Sequence, residues 1–173
     1  MRCPLIAFVS LYASAALMVA EGGHGNEETT IKPQCQTPQP PFFNASDECD
    51  KSDTLFIFNT TSRLCEATLI DPTKHNNTFE SRFQCVSACN PGQGASFCAD
   101  SPKNACNGST EGSEVSYFYN VSVGECQEYP DCGEFEYKTT DWNGFYDDIN
   151  CKFQCLGFNE SNVYGSNKTK QVG

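Results

Sequence analysis

Cysteine is the residue type in this chain with the most evident chemistry. The 173 residues include 12 cysteines and only two histidines, His24 and His75. We expect His24 in a disordered tail and His75 in a loop, which leaves no second ordered histidine for a Ser–His–Asp triad or for a zinc site with histidine ligands. No Cys-x-x-Cys pair occurs. The cysteines are therefore predicted to form disulfides, and we expect no enzyme activity, no metal site and no cofactor.

The amino terminus and the charge balance narrow the class further. Residues 1–20 have the basic, apolar and small-residue order of a signal peptide, so we expect a secreted, extracellular protein in which disulfides persist. Cys3 would leave with the peptide, and an odd number of cysteines would remain. No later segment is long enough to cross a bilayer. With 22 acidic and 11 basic residues, nucleic acid and anionic membranes are disfavoured as partners.

The chain repeats itself. An aromatic block, Phe56–Asn59, ends six residues before Cys65, and a similar block, Tyr117–Asn120, ends six residues before Cys126. Each block is typical of a strand that enters a hairpin turn at Asn. Each half then has Asn-x-Phe followed by two cysteines at i and i+4, which predicts a short helix: Asn77, Phe79, Cys85 and Cys89, then Asn143, Phe145, Cys151 and Cys155.

The helix starts and the segment boundaries follow from local sequence. Ser81 with Gln84 forms a capping box, and Asp147 lies at the matching cap position of the second copy. Each domain is too small to depend on its apolar core alone. We predict the following division: signal peptide 1–20, disordered acidic and Pro-rich tail 21–34, domain 35–89, linker 90–97, domain 98–155 and flexible tail 156–173.

This pattern of cysteines, aromatic hairpin and Asn-x-Phe resembles the Kunitz domain of the pancreatic trypsin inhibitor type. The resemblance implies a small disulfide-rich α+β fold with two tandem Kunitz-like domains, each a twisted β-hairpin plus a short C-terminal helix. With the signal peptide and many glycosylation sequons, the chain also resembles divergent two-Kunitz tick salivary anticoagulants, which are similar to tissue factor pathway inhibitor. The implied role is inhibition of host serine proteases of coagulation.

The resemblance also implies a disulfide pairing. Cysteine count alone leaves many connectivities open. The second domain has all six family cysteines, whereas the first lacks the fourth, whose position falls at Thr73, and Cys49 is left unpaired. Cys49 is expected to be buried or capped, with a disulfide-linked dimer as the alternative to a monomer. The implied pairs are Cys35–Cys89, Cys65–Cys85, Cys98–Cys155, Cys106–Cys132 and Cys126–Cys151.

In the family, the residue after the second cysteine enters the specificity pocket of the protease. These residues are Asp50 and Asn107 here. A trypsin-like pocket carries a carboxylate, and a desolvated contact between it and Asp50 would cost several kcal/mol. Asn107 also begins a sequon, whose glycan would cover it. The sequons begin at Asn44, Asn59, Asn76, Asn107, Asn120, Asn159 and Asn167.

Residues 125–148 alternate carboxylates with aromatic side chains. Such a surface suits a basic partner, because rings anchor the contact while charges steer the encounter; the alternative is a solvated acidic face. We therefore favour exosite binding to a host serine protease or another basic extracellular protein. The alternatives are a non-inhibitory module for a chemokine, receptor or ion channel, and loop inhibition of a protease that accepts Asn or Asp. The exosite residues are Glu128, Tyr129, Asp131, Glu134, Glu136, Tyr137 and Trp142.

Overall fold

Two antiparallel hairpins, each followed by a short helix, make up the part of the chain that the structure describes. The structure is a computed structural model, and it describes residues 32–42, 53–133 and 142–166. The first hairpin joins β1 (Asp53–Asn59) to β2 (Leu64–Ile70) and precedes helix α1 (Arg82–Cys89). The second joins β3 (Glu114–Asn120) to β4 (Glu125–Asp131) and precedes helix α2 (Asp148–Cys155). Short 3-10 turns at Pro33–Cys35 and Ser96–Ala99 lead into the two halves.

The hairpins form where the aromatic blocks predict them. In the first, Asn59 accepts hydrogen bonds through Oδ1 from the N–H groups of Thr61 and Ser62, which folds the chain back after β1. In the second, Asn120 accepts in the same way from the Ser122 N–H. Phe58 then lies opposite Cys65, and Tyr119 lies opposite Cys126. The repeat in sequence is thus a repeat of turn and register.

Both helices begin at the predicted caps. Ser81 Oγ accepts from the Gln84 N–H at 3.3 Å, and Asp147 Oδ1 accepts from the Asn150 N–H at 2.6 Å. Gln84 Oε1 in turn accepts a hydrogen bond from the Glu80 N–H rather than from that of the cap residue. Ser81 and Asp147 are therefore confirmed as N-caps, and the reciprocal bond of the capping box is displaced by one residue.

Five disulfides hold the hairpins, helices and entry turns together. We define lobe 1 as residues 32–89 and lobe 2 as residues 98–155. Within the described ranges no cysteine is free; Cys49 lies outside them. Such cross-linking is typical of extracellular proteins. The bonds are Cys35–Cys89 and Cys65–Cys85 in lobe 1, and Cys98–Cys155, Cys106–Cys132 and Cys126–Cys151 in lobe 2.

The two lobes share one apolar core and belong to one compact unit that begins at Lys32. The rings of Phe56 in lobe 1 and Phe153 in lobe 2 have centroids 4.6 Å apart. Arg82 of α1 donates from Nε and Nη2 to Gln154 Oε1 of α2, at 2.9 and 2.7 Å. The lobes therefore contact each other through side chains in addition to the peptide that joins them.

Residues 156–166, predicted to be part of a flexible tail, are packed. Phe158 is 2% exposed and Val163 is fully buried. The Val163 carbonyl accepts from the Ala95 N–H at 2.7 Å, so this segment pairs with residues predicted to be a linker. The prediction was wrong here because the polar composition of the segment conceals two apolar side chains that complete the shared core. Residues 167–173 lie outside the described ranges.

Candidate functional site

The chain around Cys106 is fixed to the end of β4 by backbone hydrogen bonds and by a disulfide. The Cys106 N–H donates to the Pro130 carbonyl at 3.1 Å, and the Cys132 N–H donates to the Asn104 carbonyl at 3.0 Å. The Cys106–Cys132 bond then links the two segments covalently. This arrangement presents the residues after Cys106 at one end of lobe 2.

A buried polar cluster supports that end. Asp131 is 7% exposed; its Oδ1 accepts from the Gly133 N–H at 2.8 Å, and its Oδ2 accepts from the Ser116 hydroxyl at 3.3 Å. The Tyr129 hydroxyl donates to the Lys103 carbonyl at 2.7 Å. Burial, with the nearby charge of Asp131, raises the pKa of Tyr129 to about 12. The cluster therefore ties the segments before and after the disulfide to the hairpin.

Tyr129 and Asp131 consequently cannot act as exosite side chains. Both were predicted to face a partner, but each is 7% exposed. On β4 alternate residues face opposite sides of the sheet, and these two face the core, whereas Glu128 and Pro130, on the other face, are exposed. The prediction failed because an acidic, aromatic composition does not tell which side of a strand a residue occupies.

Asn107 begins an exposed loop. Residues 107–112 are all exposed, and Gly108 and Gly112 have φ values of 109° and 80°. Hydrogen bonds within the loop are short-range: Ser109 Oγ accepts from the Glu111 N–H, and the Thr110 carbonyl accepts from the N–H and hydroxyl of Ser113. The loop is accessible to a large partner, but its own contacts constrain it only weakly.

Lobe 1 replaces the second-lobe disulfide with a carboxylate. Cys132 lies six residues after Cys126, so its counterpart is six residues after Cys65, at Asp71. The Asp71 N–H donates to the Phe42 carbonyl, as the Cys132 N–H does to that of Asn104. The missing fourth cysteine therefore maps to Asp71 and not to Thr73, because the two hairpins share one register. Asp50, the residue predicted to enter a protease pocket from lobe 1, lies outside the described residues.

Thr73 instead serves as a hydrogen-bond partner of Asp71. Asp71 Oδ1 accepts from the Thr73 N–H at 2.9 Å and from its hydroxyl at 2.6 Å, and Lys74 Nζ lies 3.0 Å from Oδ2. These hydrogen bonds, first that of Thr73 and then that of Lys74, lower the pKa of Asp71 to about 2. The group at the position of Cys132 is thus a charged carboxylate that is hydrogen-bonded to its own loop.

The remaining predicted exosite residues are spread over different surroundings. Glu128 accepts from the Tyr117 hydroxyl at 3.0 Å, whereas half-buried Trp142 lies under Lys103, with Nζ 5.1 Å from the ring centroid. Glu134, Glu136 and Tyr137 fall outside the described residues.

The sequons differ in how their asparagines are used. Asn76, Asn107 and Asn159 are exposed, as glycosylation requires. Asn59 and Asn120 are half-buried, and each donates from Nδ2 across its hairpin, to Glu66 and Gln127 respectively. Asn44 and Asn167 lie outside the described residues. A glycan is therefore sterically easiest at the three exposed positions.

A groove that the exosite prediction missed lies beside β3. It is lined by residues from the start of β3 and from the approach to α2, and Val115 and Tyr146 are 62% and 60% exposed. Tyr146 and Asp147 fall in the acidic, aromatic stretch of the sequence, but Glu114 and Val115 do not, so only the fold brings the two sets together. The lining residues are Glu114, Val115, Tyr117, Tyr146 and Asp147.

The described residues offer little material for metal chemistry or for a membrane span. No group of three or more His, Cys, Asp or Glu side chains among them could hold a metal ion, and His75 Nε2 lies 3.3 Å from the Pro41 carbonyl oxygen. Over the same ranges, no helix has the length and apolar character needed to cross a bilayer. His24 lies outside these ranges.

Comparison with known proteins gives limited information. No protein family and no curated protein matches the chain. Among solved structures, the complex between SmCI and human carboxypeptidase A4 contains a chain that is 22% identical, with a TM-score of 0.27. The match covers 68% of this chain and 65% of that one. At this TM-score the similarity carries no argument about fold or function.

Proposed function

We propose that the chain is a secreted Kunitz-type protein that resembles serine protease inhibitors and acts as an anti-haemostatic salivary effector on host coagulation proteases. The observation that carries this proposal is the repeated unit itself. In both lobes an aromatic hairpin is bonded to a cysteine-bearing helix, and in lobe 2 the end of the hairpin is bonded through Cys106–Cys132 to an exposed loop. That loop is where a Kunitz inhibitor meets its protease.

Binding through an exosite fits the loop better than insertion into an active site does. Asn107 offers no positive charge to the carboxylate of a trypsin-like pocket. The loop from Asn107 to Ser113 is held by turn hydrogen bonds of its own, and tight substrate-like inhibition depends on a preorganised loop. Another surface of this protein can block a macromolecular substrate of the protease without a positive charge at residue 107 and without a rigid loop.

The test is the effect of loop variants on a macromolecular coagulation assay. We expect Asp50→Ala combined with Asn107→Ala to leave inhibition unchanged, because neither side chain enters a pocket. Ser109→Ala is the matched control, since it removes the same sequon as Asn107→Ala and leaves Asn107 itself in place. Loss of inhibition in the double variant, but not in the control, would show that the loops act at an active site.

A further inference from the structure

The groove beside β3 combines exposed apolar side chains with a carboxylate rim. Val115 and Tyr146 line it, and Ile149, in the first turn of α2, is 78% exposed. Val115 and Tyr146 thus stand exposed beside two carboxylates, a combination in which side chains anchor a partner while charge steers the encounter. Glu114 and Asp147 stand on opposite sides of the groove, on β3 and at the α2 cap.

The edge of β3 is open at this groove. Tyr117 exchanges two backbone hydrogen bonds with Phe145, at 2.8 and 2.7 Å, so its N–H and C=O point away from β4. Val115 lies two residues earlier and points its N–H and C=O the same way. Among the described residues, no backbone hydrogen bond outside the ladder reaches Val115. An added strand could therefore continue the pairing that Phe145 begins.

Part of the matching face of lobe 1 packs against other parts of the chain. The Phe56–Phe79 bridge matches the Tyr117–Phe145 bridge, which makes Phe83 the counterpart of Ile149. Phe83 packs edge-on against Phe158, with centroids 5.1 Å apart. Ile149 of lobe 2 is therefore exposed at a position where its counterpart in lobe 1, Phe83, is packed.

Local charge defines the chemistry of an occupant. Carboxylates surround the groove: Glu114 and Asp147 line it, Glu128 accepts from the Tyr117 hydroxyl, and Asp148, which follows Asp147, is paired with Lys152. The hydrogen bond that Tyr117 donates to Glu128, then burial and the charges of Glu128, Asp148 and Asp147, raise the pKa of Tyr117. A second copy of this chain, with a net charge of −11, would be repelled.

We propose that this groove binds an extended, basic segment of a partner protein, which adds to β3 as a strand at Val115 and places Lys or Arg side chains against Glu114 and Asp147. Main-chain hydrogen bonds give such a contact its affinity, and alternate side chains give it specificity. This proposal rests on the proposed function, because it identifies the groove as the surface through which the protein binds its protease.

The test measures binding of a synthetic peptide to the full-length secreted protein by fluorescence anisotropy. The probe is a labelled hexapeptide that alternates Arg with Val. Two control peptides separate the contribution of charge from that of backbone pairing. One has Glu in place of Arg, and the other carries N-methyl groups on alternate amides, which block strand pairing. We expect binding of the first peptide alone, weakening as salt is added.

Two double variants of one hairpin locate the contact. Glu114→Gln with Val115→Thr alters the groove, and we expect affinity to fall about tenfold. Glu125→Gln with Val123→Thr makes the same chemical changes at the turn end of the hairpin, where Val123 is 57% exposed, and should bind as the unmodified protein does. Equal affinity in both variants, or equal binding of the N-methylated peptide, would overturn the proposal.

Protease assays on the same preparations distinguish the two claims. Inhibition of a protease without any peptide binding would refute the groove and leave the proposed function standing. Peptide binding that depends on Glu114 and Val115, without an effect on any protease, would support the groove and refute the proposed function.

Discussion

Asp71 takes the position that Cys132 has in lobe 2, and its carboxylate organises the end of the β1–β2 hairpin. The pKa of about 2 lies below the ordinary value of 3.8, so folding favours the charged form. A lowered pKa contributes stability that is complete above the unfolded value and is lost as the pH falls through the folded one. The stability that Asp71 contributes is therefore lost between about pH 4 and about pH 2.

We predict that Asp71→Asn removes this acid sensitivity. The variant should be less stable than the unmodified protein at neutral pH, and the difference should shrink as the pH falls through about 2, because the native carboxylate becomes protonated over this range. Urea unfolding followed across this range measures it. Asp100→Asn, a change at an exposed carboxylate, is the control, and a constant difference at all pH values would contradict the account.

The loop at Asn107 makes a second prediction. Asn107→Lys places a cation where a trypsin-like pocket holds its carboxylate, and we expect trypsin to cleave after residue 107, since the loop is not rigid enough to resist turnover. Mass spectrometry of the digest detects the cut. Ser109→Lys is the control, because it removes the same sequon and adds the same charge two residues on. If trypsin leaves Asn107→Lys as intact as the unmodified protein, the loop is inaccessible to the protease.

Among the elements, hairpins and helices followed from sequence, whereas their packing did not. The aromatic blocks ending at Asn59 and Asn120, and the caps Ser81 and Asp147, depend on local spacing and are present as predicted. The burial of Tyr129 was missed because both faces of β4 carry acidic residues, with Glu128 on one face and Asp131 on the other.

Asn143 links three elements, and its loss should be costly. Its Oδ1 accepts from the Tyr119 N–H at 2.8 Å, and its Nδ2 lies 2.8 Å from both the Asp100 and Tyr119 carbonyls. We predict that Asn143→Ala lowers the free energy of unfolding by about 3 kcal/mol, because buried groups lose their partners. Asn77→Ala, which removes one bond to the Gln36 carbonyl, should cost about 1 kcal/mol. Equal losses in urea unfolding would contradict this ranking.

The contact between α1 and α2 predicts that the lobes unfold together. Arg82 lies over the rings of Phe56 and Phe97, at 5.0 and 5.3 Å from their centroids, and bonds Gln154. We expect Arg82→Ala to lower stability by about 2 kcal/mol and to reduce hydrogen-exchange protection in both lobes. Lys152→Ala, an exposed control, should change stability by less than about 0.5 kcal/mol. Loss of protection in lobe 1 alone would show independent lobes.

At the scale of the whole molecule, the sequence predicted the small disulfide-rich α+β class of each half, but it did not predict that the two halves share one core. The cysteine and Asn-x-Phe spacing recurs within each half, so each half can be inferred from its own residues. The shared core depends on contacts distant in sequence, such as Phe56 with Phe153 and Ala95 with Val163. Nothing in local composition indicated that residues 156–166 would pack there, or that Glu114 would lie beside Asp147.

The central claim is that the protein acts on a protease through a surface outside the active site. The most direct measurement is a titration of the glycosylated, secreted protein against trypsin, factor Xa and factor VIIa with tissue factor. Each enzyme is assayed with a small chromogenic substrate and with a macromolecular one. We predict that a coagulation protease loses macromolecular turnover while its hydrolysis of the small substrate continues. Blocked hydrolysis of the small substrate, or no effect on either substrate, would contradict the account.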